Sequence, residues 1–225
     1  MKANIVQELK DTFIQHKNPT LALKQSAYMR NQFSFLGISK PELAFLEKAI
    51  VKKYLLLDEH QLVAIIHELW QLEEREFHYT ALNLAQRYKK LFSPGSFNTF
   101  EYLIRTKSWW DTVDTLAIHT IGNLVSTHYS LINIMDNWIQ DPCLWIQRSA
   151  LIFQVRWKLR TDEERLFRYC EYSASDNDFF IRKAIGWALR EYSKTNSTAV
   201  KEFITKNKHI LHSLSIREGL KYTYI

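Results

Sequence analysis

The stretch Trp-Ile-Gln-Arg-Ser-Ala at residues 145–150 has a counterpart of similar character 35 residues later, Phe-Ile-Arg-Lys-Ala-Ile at residues 180–185. Moving back from Trp145 by 35 and then by 34 residues gives two further copies, which begin at Trp110 and Glu76. Repeats of this length are typical of stacked helix pairs, because one pair cannot bury its apolar face alone. The repeat predicts an all-α fold, a curved α-solenoid of HEAT-like repeats with a basic concave face. Each copy is expected to form the second helix of its pair.

The composition excludes several other classes of protein. The 225 residues include only 5 Gly and 4 Pro, which leaves little turn chemistry for a many-stranded sandwich or barrel. The scattered glycines form no phosphate loop or dinucleotide-binding fingerprint. The 2 cysteines form neither a disulfide framework nor a zinc-binding spacing. No Pro/Gly-rich linker divides the chain, so we expect one domain over residues 1–225.

The charge and hydropathy of the chain restrict its partners. A net charge of +6 is compatible with an anionic partner. No apolar run approaches the roughly 18 residues that span a bilayer, and the first ten residues do not resemble a signal peptide. The 8 His are scattered without a ligand pairing, so no metal or other cofactor is expected. We therefore expect a cytoplasmic protein without a membrane partner. No coiled-coil or apolar docking stripe is evident, which predicts a monomer.

Helix start signals agree with the repeat. Apolar residues between 62 and 70 follow i, i+3, i+4, i+7 spacing, and Pro41 suits the first turn of a helix. Three Ser/Thr-x-x-Glu patterns predict helix starts with capping boxes. They are Ser39 with Glu42, Thr161 with Glu164, and Ser215 with Glu218.

The repeat register brings an acid and two indoles into one neighbourhood. Trp110 and Asp114 are one helical turn apart on the same face. Trp187 lies one turn after Lys183, whose repeat equivalent is Arg148. The surrounding cations come mostly from the later repeats: Lys107, Arg148, Arg156, Lys158, Arg182, Lys183 and Arg190. Aromatic side chains among cations suit a phosphate backbone with an exposed base or sugar.

Structural roles compete for the same residues. Three tryptophans are expected in the core: Trp70, Trp138 and Trp145. Trp109 and Trp110 are about 100° apart on a helix, so we expect one of them in the core and the other displayed. Asp111 is expected to be a first-turn acid that complements the helix dipole. The residues alone leave Asp114 open between that role and a displayed carboxylate.

The segment Thr-Lys-Ser-Trp-Trp-Asp-Thr-Val-Asp at residues 106–114 resembles the central signature of the AlkD-like DNA alkylation repair enzymes. These enzymes are DNA glycosylases built from HEAT-like repeats. Six more blocks resemble the family in the same order, at residues 28–31, 35–38, 68–70, 74–77, 145–148 and 183–192. The resemblance covers essentially the whole chain.

The resemblance implies excision of positively charged N-alkylated purines, such as 3-methyladenine and 7-methylguanine, from duplex DNA. It implies that Asp114 is the catalytic carboxylate and that Trp110 and Trp187 are aromatic walls beside the damaged nucleotide. Three residues resemble the family's DNA contacts: Tyr28, Arg148 and Arg190. Four more cations are expected on the DNA-binding face: Lys107, Arg156, Lys158 and Lys183. The stretch at residues 156–158 departs from a more lysine-rich stretch in the family.

The chemistry agrees with one carboxylate and no second acid. An alkylated purine already carries positive charge and leaves without a general acid, so charge develops on the deoxyribose. One carboxylate can stabilise that sugar cation and orient water, and indole faces add attraction of about 0.5–2 kcal/mol each. Two alternatives remain: a non-catalytic HEAT-like module for distorted or branched DNA, and a protein scaffold. An acid such as Asp114 on a phosphate-binding surface argues against the first, and a basic, tryptophan-bearing inner face against the second.

Overall fold

A computed structural model describes residues 5–54 and 58–223, and these residues form helices and no strands. The predicted all-α class is therefore confirmed. Within the described residues, no helix is both long and apolar enough to cross a bilayer. The chain divides into two compact units, Met1–Thr99 and Phe100–Ile225. One domain over residues 1–225 stays a prediction.

Unit 1 holds the first five α-helices and a core of large apolar side chains. The helices are α1 Ile5–Gln15, α2 Pro19–Tyr28, α3 Lys40–Val51, α4 Glu59–Gln71 and α5 Arg75–Arg87. Helix α4 packs against α5, and α1 packs against α3 and α4. Trp70 is fully buried, as expected, and the Phe13 ring stacks on Phe77 with 5.4 Å between ring centroids. These contacts hold α5 in the centre of unit 1.

A buried carboxylate holds the segment between α2 and α3. Glu76 on α5 accepts hydrogen bonds from the backbone N–H groups of Leu36, Gly37 and Ile38, at 3.0, 2.9 and 3.1 Å. Gly37 has φ 88°, and a Cβ there would lie 2.0 Å from the Asn18 carbonyl oxygen. Only glycine fits this left-handed, closely approached position. The segment that follows Tyr28 is thus fastened to α5.

The remaining helices follow in chain order, and the boundary between the units falls inside α6. They are α6 Phe97–Arg105, α7 Trp110–Thr115, α8 Gly122–Thr127, α9 Ile132–Trp138, α10 Leu144–Ile152, α11 Glu163–Tyr172, α12 Phe179–Ser193, α13 Ser197–Asn207 and α14 Ser213–Gly219. A π-helical stretch, Leu116–Ile121, joins α7 to α8. Helix α10 packs against both α7 and α12. This central helix therefore links the elements that carry most of the predicted site.

The repeat register is reproduced by the helix starts. The four copies begin at the first or second residue of α5, α7, α10 and α12, namely Glu76, Trp110, Trp145 and Phe180. In unit 2, consecutive copies are neighbours, because α7 packs on α10 and α10 packs on α12. The repeat therefore predicts which helices lie side by side.

Only one of the three predicted capping positions is observed. Ser39 accepts from the backbone N–H of Glu42 at 3.4 Å, at the start of α3. The box beginning at Thr161 is wrong, because Asp162 caps α11 and accepts from Arg165 N at 3.0 Å. A carboxylate one residue further along is the stronger acceptor.

The box that begins at Ser215 is also wrong. Helix α14 begins at Ser213, and the His212 ring Nδ1 accepts from Leu214 N at 3.1 Å. Ser215 lies inside the helix, and its hydroxyl donates a hydrogen bond to the Arg182 carbonyl oxygen on α12 at 2.9 Å. Glu218, the other half of the predicted box, therefore has no capping role here and contacts α12.

Candidate active site in unit 2

The turn between α6 and α7 sets the position of the candidate carboxylate. Lys107 has φ 48°, a left-handed conformation that few non-glycine residues adopt. Trp109 then takes an extended conformation as the N-cap, and α7 starts at Trp110. Asp114 follows Trp110 by one turn, so the two side chains lie on one face of α7. A tight turn therefore sets where Trp110 and Asp114, the predicted pair of indole and carboxylate, lie.

The tryptophans at helix starts are less buried than the sequence indicates. Trp109 packs with Trp145 and Phe180, at ring-centroid distances of 5.7 and 5.3 Å. Both Trp109 and Trp110 are half-buried, so the expected division into one core and one displayed indole is not observed. Trp145 is also half-buried, and its assignment to the core is wrong, whereas that of Trp138 is confirmed. Residues in the first turn of a helix are covered by fewer neighbours.

Asp114 forms an ion pair with one buried arginine, Arg148. The Arg148 Nε donates to Asp114 Oδ1 at 2.7 Å, and Nη2 donates to Oδ2 at 2.7 Å. This two-point contact fixes the plane of the carboxylate as well as its position. The Asp114 side chain is 16% exposed and that of Arg148 only 5%. The Asp114 side chain is therefore more exposed than that of its partner.

Arg148 also ties the carboxylate to a third helix. Its remaining terminal nitrogen, Nη1, donates to the Phe180 carbonyl oxygen at 2.5 Å. Phe180 is at the start of α12, two turns before Trp187. One guanidinium on α10 therefore connects Asp114 on α7 with the helix that carries the second predicted indole. This position differs from the one expected of an exposed, phosphate-binding cation.

The surroundings of Asp114 shift its protonation. Burial raises the pKa of the Asp114 carboxyl above its usual value, while the hydrogen bonds and positive charge of Arg148 act in the opposite direction. Asp111, one turn earlier, adds a small raising effect. Buried carboxylates with a raised pKa are enriched at functional sites. Asp114 therefore has the environment expected of a functional group.

Trp187 and two cations lie along one face of α12. Lys183, Trp187 and Arg190 are spaced i, i+4, i+7, and all three are half-buried. Both cations contact Glu218 on α14, at 3.4 Å from Lys183 Nζ and 2.7 Å from Arg190 Nη1. The sequence does not predict this partner, because the Ser215 spacing favours a cap. The one sequence feature that points to an ion pair of Glu218 is its position three residues before Lys221.

The other predicted cations of unit 2 are at the surface. Arg156 and Lys158 are exposed, and Lys158 has φ 54°. Both line a cavity of about 700 Å³ between the end of α10 and α12, together with Lys194. Lys107 is half-buried in the turn before α7. Two of the unit's predicted DNA contacts therefore occupy left-handed backbone positions, a strain that often accompanies function.

Tyr28 belongs to unit 1. It ends α2 and is 70% exposed, two residues before Arg30, which together with Asn31 has positive φ (55° and 56°). The hydrogen bonds of Glu76 to residues 36–38 fix the segment that follows. Tyr28 is thus displayed at the surface of unit 1, as its predicted role requires.

No metal-binding cluster is found in the part of the chain that the structure describes: no three His, Cys, Asp or Glu side chains come together. The buried histidine His78 has its Nδ1 3.2 Å from Arg75 Nη1 and its Nε2 3.0 Å from the Leu72 carbonyl oxygen. Both are structural contacts within unit 1.

Comparisons with known proteins point to one family. A family model described as DNA alkylation repair enzyme matches residues 9–223. A solved structure described as a predicted DNA alkylation repair enzyme from Enterococcus faecalis has a TM-score of 0.86 at 36% identity, covering 92% of this chain and 97% of that one. No curated protein matches significantly.

Two solved structures from Streptococcus mutans share the fold. AlkD2 has a TM-score of 0.64 at 17% identity, covering 91% of this chain and 100% of that one. The protein smu.31, from strain UA159, has a TM-score of 0.64 at 15% identity, covering 97% of this chain and 99% of that one. At these identities the likeness concerns the fold alone.

Proposed function

The chain belongs to the DNA alkylation repair enzyme family, and on that premise we propose that it is a DNA glycosylase which removes positively charged N-alkylated purines from duplex DNA. The observation that carries the proposal is the carboxylate of Asp114, partly exposed, one turn after Trp110 and held at two points by buried Arg148. 3-Methyladenine and 7-methylguanine are the substrates that this chemistry suits.

The reaction needs one carboxylate at the sugar. When the bond between C1′ and the alkylated base breaks, the electron pair goes to the base, whose positive charge is thereby cancelled. Positive charge then develops on the deoxyribose, and an Asp114 carboxylate beside it stabilises that charge without reorganising. Water adds to C1′ and gives its proton to Asp114. Because the base leaves as a neutral molecule, no second acid is required.

Arg148 acts as a positioning residue in this proposal. Its two hydrogen bonds hold the Asp114 carboxylate in one orientation, and its charge favours the ionised form against burial. Its bond to the Phe180 carbonyl fixes the same carboxylate relative to α12. The contribution of Arg148 to catalysis is therefore orientation and charge, whereas direct contact with phosphate falls to the more exposed cations.

The remaining predicted residues have roles in holding the DNA. Trp110 and Trp187 present indole faces to the cationic sugar, an attraction that strengthens as charge develops. The cations that would contact phosphate are Lys107, Arg156, Lys158, Lys183 and Arg190. Tyr28 would contact the strand near the damaged nucleotide. Such a protein works in the cytoplasm, as a monomer on the DNA duplex.

Release of free base from DNA tests the proposal. The protein is incubated with duplex DNA methylated by a small alkylating agent, and free 3-methyladenine and 7-methylguanine are measured alongside the normal purines. We expect release of the methylated bases only. Binding to the same duplex without release would contradict the glycosylase proposal and favour the non-catalytic binding module. Absence of both binding and release would favour the scaffold.

A further inference from the structure

Glu218 is the centre of a cluster of positive charge on unit 2. Its carboxylate is 2.7 Å from Arg190 Nη1, 3.4 Å from Lys183 Nζ and 3.0 Å from Lys221 Nζ. The Glu218 side chain is only 8% exposed, whereas those of Arg190 and Lys183 are 24% and 39% exposed. The acid is therefore inside and the cations reach outward from it.

The packing of α14 on α12 brings Glu218 to this place. A Cβ at Gly186 would lie 2.6 Å from the Glu218 Cβ and 3.2 Å from the Ser215 Cα, so only glycine allows so close an approach. Ser215 adds a hydrogen bond to the Arg182 carbonyl on α12. The position of Glu218 is therefore set by the packing of the two helices.

The two cations that Glu218 holds on α12 lie on either side of Trp187. Lys183 is one turn before Trp187, and Arg190 is about one turn after it. Glu218 uses Oε1 for Lys183 and Oε2 for Arg190, so one carboxylate spans the stretch that carries the indole. Long cationic side chains have many rotamers, and a buried anchor removes much of that freedom before DNA binds.

We propose that Glu218 is a positioning residue, which holds Lys183 and Arg190 in place so that they grip the DNA backbone on both sides of the nucleotide facing Trp187. The inference rests on the proposed glycosylase function. With Glu191, which contacts Arg190 at 3.8 Å and Lys194 at 2.6 Å, the cluster holds four positive and two negative charges. A charge of +2 therefore remains to attract phosphate. The carboxylate restricts the conformations of the two cationic side chains and does not cancel their positive charge.

The pKa of the Glu218 carboxyl is lowered, which agrees with this arrangement. Hydrogen bonding to Lys221 lowers the pKa of the Glu218 carboxyl, and the charge of Lys183 acts in the same direction. The anchor therefore stays ionised at neutral pH, where DNA repair takes place.

The test compares two Glu→Gln substitutions that change the net charge equally. Glu218→Gln removes the anchor, whereas Glu202→Gln removes an exposed carboxylate on α13. Single-turnover release of 7-methylguanine from methylated duplex is measured for both. We expect about a tenfold slower release for Glu218→Gln and little change for Glu202→Gln. Equal rates for the two variants would overturn the inference.

A double-mutant cycle separates positioning from general packing. In a Lys183→Met, Arg190→Met background, Glu218→Gln should cause no further loss, because the residues through which it acts are gone. The same tenfold loss in both backgrounds would overturn the inference and assign Glu218 a structural role. Faster release by Glu218→Gln would also overturn it, because the carboxylate would then only repel phosphate.

Two further controls keep the outcome clear. If Glu218→Gln does not fold, Lys183→Met and Arg190→Met at the surface are measured singly, and unchanged release by both would overturn the inference. The wild-type protein is measured in every series. No release by the wild type contradicts the proposed function itself, whereas release by the wild type with no effect of Glu218→Gln contradicts only the positioning role.

Discussion

Two aspartate–arginine contacts in unit 2 have similar geometry and different surroundings. Asp114 on α7 has one arginine partner, Arg148, whose three guanidinium nitrogens donate to Asp114 and to a backbone carbonyl. Asp136 on α9 accepts from Arg165 at 3.2 Å through both oxygens, and also from Arg168 and from the Tyr169 hydroxyl. The Asp136 side chain is 32% exposed, twice the fraction for Asp114.

The pKa of the two carboxyls moves in opposite directions. Burial raises the pKa of Asp114, and Arg148 offsets this only in part. Burial also acts to raise the pKa of Asp136, but its hydrogen bonds from Arg165 and Tyr169 outweigh that effect, so the pKa is lowered. Both aspartates join two helices, but only Asp114 has the raised pKa that is enriched among carboxylates at functional sites.

Replacing Arg148 should have the largest effect on stability. Arg148→Met leaves the Asp114 carboxylate buried without its cation, which costs about 3–5 kcal/mol of unfolding free energy for a broken buried pair. Chemical denaturation measures this directly. The dependence of DNA binding on salt should stay as in the wild type, since Arg148 is buried. A clearly flatter salt dependence would instead place Arg148 on the DNA.

The same variant should change the pH dependence of base release. Asp114 must be ionised to act, so the wild-type rate falls as the pH decreases through a pKa above the usual aspartate value of 3.8. Without Arg148 the lowering influence is lost, and the acid limb moves to still higher pH. A pH–rate profile of folded Arg148→Met, or of Arg148→Lys if the first variant is unstable, measures the shift. An unmoved limb would mean that Asp114 does not titrate in the reaction.

Replacing Asp136 should have a smaller and purely structural effect. Asp136→Asn should lower the unfolding free energy by about 1–2 kcal/mol, since a partly exposed network is screened by solvent. Its folded pKa is lowered, so its stabilisation is present above the unfolded pKa and is lost as pH falls through the folded pKa. The difference from wild type should therefore shrink in acid. Base release should be unchanged. A large loss of base release would contradict the purely structural role of Asp136.

The repeat is what the sequence reveals most reliably. The spacing of copies at Glu76, Trp110, Trp145 and Phe180 predicts the starts of four helices and the adjacency of α7, α10 and α12. This works because each repeat must bury the same apolar face against its neighbours. The pairing of Trp110 with Asp114 follows from the same local periodicity.

Long-range contacts were harder to predict. Arg148 has the repeat position of Lys183, yet one is buried against Asp114 and the other is partly exposed beside Glu218. The two contacts link residues 34 and 35 positions apart, and this spacing carries no information on which cation turns inward. The N-caps Asp162 and His212 are not predicted, because several residues near the start of each helix can cap it. Local competition between acceptors is decided by the packed structure.

The most direct measurement of the central claim is base release by Asp114→Asn beside Asp136→Asn. Both variants remove one carboxylate charge and keep the side-chain shape, and both are first shown to be folded by thermal melting. We predict that Asp114→Asn loses about 10²–10³-fold of the release rate of 7-methylguanine, a typical loss when a transition-state stabilising group is removed. Asp136→Asn should retain the wild-type rate. Wild-type release by Asp114→Asn would contradict the account.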